Sequence, residues 1–441
     1  MVPSRPRRAV VRRALPFLLL AVLVPGASLT LGTHGTGAAG AVTPAPISPG
    51  PSVSPRPAPI SAIPAVSSIG QRPRQLSRPS SDIGLRRALD ARLDALQAEF
   101  AFPGVSVTLI FPDGASWLGN SGLADVSAGT PVTPDTVFAL ASLTKTFTSA
   151  LILRLAEEGV VSLDAQVRTY LPDLAVDPKV TIRQLLDHTS GLRDFFFDPE
   201  IDEMLLAQPD RYWTEADALA YVGTPYFKAG RGWHYSNTNY LILGMVAERV
   251  GDASLADLFR ERFLVPLGLG STFYQPTETA LDLVARGYRF EAGAIDAPAI
   301  DLTGTSPIVP FASVVTAARG AGGLAATSVD VARWARALYG GVVLGDQSLK
   351  AVIDDAARIQ RHRPTVPYGL GVQLVEIAGQ PSLGHTGRLL GFRSAVRYLP
   401  ETGMTIAVLT NQSRTDPGII VDALLTIALR SGQSCRCTVA R

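Results

Sequence analysis

Ala141-Ser142-Leu143-Thr144-Lys145 opens a stretch, 142–159, in which Phe147, Leu151, Leu153, Leu155 and Ala156 run almost all the way round a helix, stopped by Glu157-Glu158-Gly159. Apolarity on every side predicts a helix buried at the centre of a domain. Ser142 stands at its N-terminal end, where backbone N–H groups and a partial positive charge face outward and favour an oxyanion. Lys145 is three residues on, so the two side chains share one face with Cβ atoms about 5–6 Å apart. An ammonium partly desolvated there gives up its proton more easily and can then accept one from a hydroxyl. Only four of the 40 Lys+Arg residues are lysine. The arginines cannot serve as that base, because guanidinium does not deprotonate in proteins.

Upstream of this helix, Leu85, Leu89, Leu93 and Leu96 recur at helical spacing after Ser81-Asp82, an N-cap pair. Residues 104–111 then alternate as a strand and end at Pro112-Asp113-Gly114, a turn signal, with 117–126 as the partner strand. Downstream, 160–340 reads as short helices with loops: 182–186, 216–222, 240–250, 255–263 and 329–338. Strand patterns return at 368–375, 393–399 and 404–409, and an amphipathic helix, 419–429, closes the domain. Strands at both ends of a helical middle predict an α+β fold. One antiparallel sheet is built from both termini and flanked by helices, with a helical subdomain inserted. The chain has no internal repeat.

The whole chain carries +2, but residues 1–81 hold nine Arg and no acid, so 82–441 carries 2 − 9 = −7. A mildly acidic body excludes nucleic-acid binding as an expectation. Arg5, Arg7, Arg8, Arg12 and Arg13 precede a short apolar run, 14–24, and Ala39-Gly40-Ala41 offers small residues for cleavage. Residues 1–41 therefore read as an export signal, of the general or twin-arginine type, and a spanning helix needs about 20 apolar residues. No stable transmembrane anchor is expected after cleavage, and the mature protein is expected outside the cytoplasm, secreted or associated with the cell wall. Residues 42–81, rich in Pro and Ser, read as a disordered spacer. The catalytic domain is expected over 82–433, with a tail, 434–441, that holds the only cysteines, Cys435 and Cys437. No metal or other cofactor is expected, since the five histidines are scattered.

Two further clusters stand beside the serine helix. In Gly232-Trp233-His234-Tyr235-Ser236-Asn237, a tyrosine next to a lysine ammonium can have its phenol pKa drawn down toward a working range and shuttle protons to a leaving group. Asn237 offers an amide able to hold both the lysine and a substrate carbonyl. In Leu383-Gly384-His385-Thr386-Gly387-Arg388, just ahead of a strand pattern, Gly387 lets a substrate backbone lie close, and Arg388 N–H would pair with Ser142 N–H around an oxyanion. His188 and His234 read as structural, and His362 lies in a polar loop. Gly320-Ala321-Gly322-Gly323 lacks the βαβ context and acidic partner of a dinucleotide fingerprint. Neither a Gly-x-Ser-x-Gly elbow nor a phosphate-binding Gly-Lys-Ser/Thr loop is present.

Ser-x-x-Lys, then Tyr-Ser-Asn some 90 residues later, then His-Thr-Gly some 150 beyond, resembles the penicillin-recognising serine hydrolases. Within them the chain is similar to the class C β-lactamase and Streptomyces-type D-alanyl-D-alanine carboxypeptidase branch, over roughly 82–430. The flanking Leu186-Asp-His-Thr-Ser-Gly-Leu192 and Tyr368-Gly-Leu-Gly371 agree. The resemblance implies a β-lactamase/DD-peptidase-like fold with Ser142 as acylated nucleophile and Lys145 and Tyr235 as the proton-transfer pair. It makes Asn237 a ligand of lysine and substrate, and has His385 orient Tyr235 or bind a substrate carboxylate, with Thr386, Gly387 and Arg388 also in the substrate site. Class C β-lactamases usually carry Lys where this chain has His385; His-Thr-Gly is more typical of DD-peptidases and D-aminopeptidases. The expected activity is thus a D-Ala-D-Ala carboxypeptidase or D-amino-acid peptidase acting on cell-wall peptides, with β-lactams as acylating ligands. An esterase, a β-lactamase and a non-catalytic penicillin-binding sensor are the alternatives.

Overall fold

The computed structural model describes residues 82–280, 284–289, 300–301 and 308–434. The expected export signal, the expected Pro/Ser-rich spacer and the two cysteines lie outside the described residues. A seven-stranded antiparallel sheet runs, edge to edge, Thr130–Pro131, Ser116–Asp125, Gly104–Ile110, Met404–Thr410, Phe392–Leu399, Gln380–Leu389, Gln373–Ile377. Its centre joins the two ends of the domain: Val107 pairs with Val408 and Leu109 with Ile406. This is the α+β arrangement expected.

Alternation along the strands divides the protein into layers. Val105, Val107 and Leu109 point to a face covered by the helices Ile83–Phe100 and Pro417–Ser434. Ser106 and Thr108 point the other way, where both hydroxyls meet Ser328 Oγ, at 2.9 and 2.8 Å, in the helix Ser328–Tyr339. Asp82 caps the first helix by accepting from Gly84 N and Leu85 N. The helix Thr144–Glu157 is buried at ten consecutive positions, 144–153, and again at Leu155 after the half-buried Arg154. Phe147 in this helix stacks on Trp334 at 3.9 Å.

The C-terminal half departs from the sequence pattern in four places. The strand expected over 368–375 is confined to Gln373–Ile377, because Gly371 at φ +80° turns the chain before it. His385-Thr386-Gly387 lies inside the strand Gln380–Leu389 instead of ahead of one. That strand carries Gly384 and Gly387, poor strand formers. Both are needed for contact: a Cβ on Gly384 would overlap Val396 O, and one on Gly387 would overlap Leu140 O and Ser394 Oγ. The helix Asp346–Ile359 has no counterpart among the expected elements. The helix expected over 255–263 is Leu255–Phe259 continued by a π turn, Arg260–Leu264.

Candidate active site

Ser142 sits in a 3-10 turn, Ala141–Leu143, that runs straight into the buried helix. Ala141 has φ +53°, a left-handed conformation that costs a non-glycine residue roughly 1–3 kcal/mol. The turn is held from outside: Leu140 N–H donates to Leu324 O at 2.9 Å, and Ser394 Oγ donates to Leu140 O at 2.7 Å. Gly387 lies against the same Leu140 carbonyl and Ala141. The strand bearing His-Thr-Gly is thereby docked edge-on beside the serine. A Gly387→Ala substitution would push the two apart. We expect it to cost about 1–3 kcal/mol, as overpacking does, read as a lowered melting temperature, and to slow acylation of Ser142.

Lys145 is fully buried. Its ammonium donates to Asn237 Oδ1 at 2.7 Å, Ala321 O at 2.7 Å and Ser142 Oγ at 3.3 Å. Three acceptors use all three ammonium hydrogens. It also lies 5.0 Å from the ring centre of Tyr235 and 5.5 Å from that of Tyr240. Burial pulls its pKa down to about 7, against the opposing pull of the Asp194 carboxylate. Near neutral pH the same side chain therefore exists both as ammonium and as a free amine able to take the Ser142 proton.

Tyr235 is where the sequence-based expectation is corrected. Its phenol pKa is driven well up, not down, because burial of the would-be phenolate outweighs every favourable neighbour; the Ser142 hydroxyl opposes the rise only in part. Among the described residues the Oη atom has no hydrogen-bond partner. Tyr235 is thus a neutral O–H donor at working pH, and Lys145 is the group that changes charge.

Asn237 meets Lys145 as expected, but its amide N–H donates to Asp194 Oδ2 at 2.7 Å. Only its second Nδ2 hydrogen is left for a substrate carbonyl. His385 departs further. Its Nδ1 lies 2.5 Å from Thr386 O, and a carbonyl only accepts, so that nitrogen carries the proton. Its Nε2 then accepts from Tyr368 O–H at 3.0 Å. Both ring nitrogens are occupied, and burial pushes the imidazole pKa down to about 3. His385 neither bonds Tyr235, 6.3 Å away between ring centres, nor offers a cation to a carboxylate. It anchors Tyr368, whose ring meets that of Tyr235 edge-on at 6.2 Å.

Thr386 Oγ1 accepts from Gln373 Nε2 at 3.2 Å. Arg388 is paired opposite Arg393, and strand alternation sends its side chain to the face away from Gly387. What Arg388 can bring to Ser142 is its backbone N–H.

Four supporting residues escaped the sequence analysis as parts of the site. Ala321, in the glycine-rich segment, supplies the carbonyl that holds Lys145. That segment comes close because Gly320 packs against Tyr240 O with no room for a Cβ. Tyr368 links His385 to Tyr235. Asp194 is buried behind Asn237. His188, at φ +63°, accepts from Ser236 N–H at 3.2 Å and Asn239 Nδ2 at 3.0 Å, and so holds the loop that carries Tyr235. Glycine pairs and a loop aspartate carry no periodic signal, so pattern reading passes over them.

The profile of the beta-lactamase family, described as "Beta-lactamase", matches residues 89–429. Penicillin-binding protein 4 of Amycolatopsis lactamdurans is 31% identical over 336 residues, covering 73% of this chain and 84% of that protein. A D-aminopeptidase of Brucella anthropi is 27% identical over 319 residues, 69% of this chain and 55% of that one. Among solved structures, D-amino acid amidase from Ochrobactrum anthropi SV3, complexed with L-phenylalanine amide, superposes with a TM-score of 0.68 at 26% identity. It covers 79% of this chain and 99% of its own.

Proposed function

The chain belongs to the beta-lactamase family of serine hydrolases, and from that premise we propose that it cleaves D-amino-acid peptides or amides through an acyl-enzyme on Ser142. The observation that carries this reading is Lys145: buried, bonded to Ser142 Oγ, and held near a pKa of about 7. The free amine takes the Ser142 proton as Oγ attacks the scissile carbonyl. Ser142 N–H and Arg388 N–H face the developing oxyanion. Tyr235, still protonated, gives its proton to the leaving group and is reprotonated from the Lys145 ammonium. Water then attacks the ester, with the same groups acting in reverse.

The substrate class rests on likeness to a penicillin-binding protein, D-aminopeptidases and a D-amino acid amidase. D-Ala-D-Ala cell-wall peptides are the proposed natural substrates. From the sequence we also propose that residues 1–41 form a cleaved leader and 42–81 a spacer, so that the enzyme works outside the cytoplasm. The test is release of D-Ala from a D-Ala-D-Ala peptide beside hydrolysis of a D-amino acid amide, each against its L-isomer. Turnover of D-isomers alone supports the reading. Hydrolysis of simple esters with no D-amide or D-Ala-D-Ala turnover would move it to an esterase. That second reading draws on one observation: His385, buried and neutral, presents no positive charge to a substrate carboxylate.

Tyr235→Phe removes the leaving-group donor and leaves the ring packing intact. Its kcat for an amide should fall by about 10²-fold, the usual scale for a lost general acid, with KM little changed. An activated ester, whose leaving group needs no proton, should lose much less.

A further inference from the structure

Asp194 is 0% exposed, yet among the described residues its side chain bonds Phe196 N–H and Asn237 Nδ2 and no arginine or lysine. Its position is explained only in part by local structure. Oδ1 accepts from Phe196 N–H at 3.0 Å, capping the turn Phe195–Phe197. A cap needs one oxygen and no burial. The other oxygen, Oδ2, reaches across to Asn237 Nδ2 at 2.7 Å, and Asn237 Oδ1 in turn accepts from Lys145 at 2.7 Å. Both carboxylate oxygens thus face N–H donors, the pattern of the ionised form. Burying an uncompensated carboxylate costs several kcal/mol. The cation that compensates it is Lys145, one amide away.

We propose that Asp194 is a positioning residue that acts on Lys145 through Asn237, locking the amide oxygen toward the lysine and supplying a buried negative charge that keeps its nitrogen basic. The proposal rests on Lys145 being the base of the reaction. An amide can sit either way round; the ammonium form of Lys145 itself selects Asn237 Oδ1, and Asp194, accepting from Nδ2, keeps that orientation when Lys145 is the free amine. With Nδ2 turned inward, two donors would face each other once the amine regains its proton. The carboxylate also opposes the loss of basicity that burial imposes on Lys145. Without it, the amine would be free at lower pH but a poorer acceptor for the Ser142 proton. The other titratable groups facing Lys145 are Tyr235 and Tyr240 and the imidazoles of His188 and His385. All four are neutral near pH 7, since burial holds both histidines deprotonated and both phenols protonated. Burial raises the Asp194 carboxyl pKa, and the N–H donors of Asn237 and Phe196 together with Lys145 oppose that rise; held ionised by them, Asp194 is the charged partner, with Tyr226 beside it neutral.

The small number of lysines makes the test direct. The full chain is labelled with 13C,15N-lysine, the Lys145 signal is assigned by its loss in Lys145→Arg, and it is titrated in the parent and in Asp194→Asn. Asparagine keeps the shape and one acceptor but removes the charge. The expected result is a Lys145 proton affinity about tenfold weaker in the variant, a shift of about one pH unit. The acid limb of Ser142 acylation by a penicillin should move to lower pH by the same amount, with a lower plateau and an unchanged half-saturation concentration. An unmoved Lys145 titration in a folded variant would overturn the proposal. If Asp194→Asn does not fold, 13C-aspartate labelling of the parent decides. The Asp194 carboxyl must stay ionised across the range where Lys145 titrates, and a protonated carboxyl there sinks the idea. Both titrations read out in a protein that turns over no substrate, so they separate this proposal from the function it rests on.

Discussion

Substitution of Ser142 by alanine is expected to lower turnover of any substrate by 10⁴-fold or more, the order seen when a serine nucleophile is removed. The side chain is only partly buried and lies at the first turn of its helix, so the fold should be untouched and the melting temperature within a degree or two of the parent. The site otherwise keeps its shape, because Lys145 is held by Asn237 and Ala321 as well as by the serine. Substrate affinity should therefore survive while chemistry is lost. A variant that keeps more than about a tenth of parental kcat would show that acyl transfer does not run through this hydroxyl.

Lys145→Arg has the second large effect, and for a reason special to the site. Arginine keeps the positive charge but cannot lose it, so no base remains to accept the Ser142 proton. It is also bulkier, in a position with no exposed surface. The expected loss in kcat is on the order of 10³-fold. The parent enzyme should show the complementary pH dependence. Burial holds the Lys145 pKa at about 7, so acylation falls about tenfold per pH unit below 7 as the amine is protonated, and levels off above it. Tyr235 titrates far higher and adds no limb near neutrality. A profile that is flat from pH 5 to 8 would remove Lys145 from the role of base.

Much of this site could be read from residue spacing. Ser142 and Lys145 declare each other because a helix fixes what i and i+3 must do, and the apolar positions that follow announce that the helix is buried. The strands Gly104–Ile110 and Met404–Thr410 are legible from strand patterning, the first alternating up to the turn residues Pro112-Asp113-Gly114. The strand Gln380–Leu389 was not, since Pro381, Gly384 and Gly387 argue against a strand on propensity alone. Those glycines serve contacts with Val396 and Leu140 that only the folded chain brings near.

Charge and protonation were the least legible. Proximity to a lysine suggested a lowered Tyr235 pKa, but burial decides its sign, and burial is a property of the whole fold. The same holds for His385, which next to a threonine and a glycine looks like a ligand for substrate. Its partner, Tyr368, is 17 residues upstream on the far side of a strand. Asp194 belongs to a loop whose residues, taken singly, suggest only a turn cap.

The central claim is a covalent intermediate on Ser142. Intact-protein mass after incubation with a penicillin, followed over time and with Ser142→Ala alongside, tests it most directly. The parent should gain one acyl adduct per chain, mapped by proteolysis to the peptide containing Ala141-Ser142-Leu143, and the variant should gain none. An adduct that persists in Ser142→Ala, or a parent that neither forms an adduct nor hydrolyses penicillin, D-amide or ester, would contradict the account.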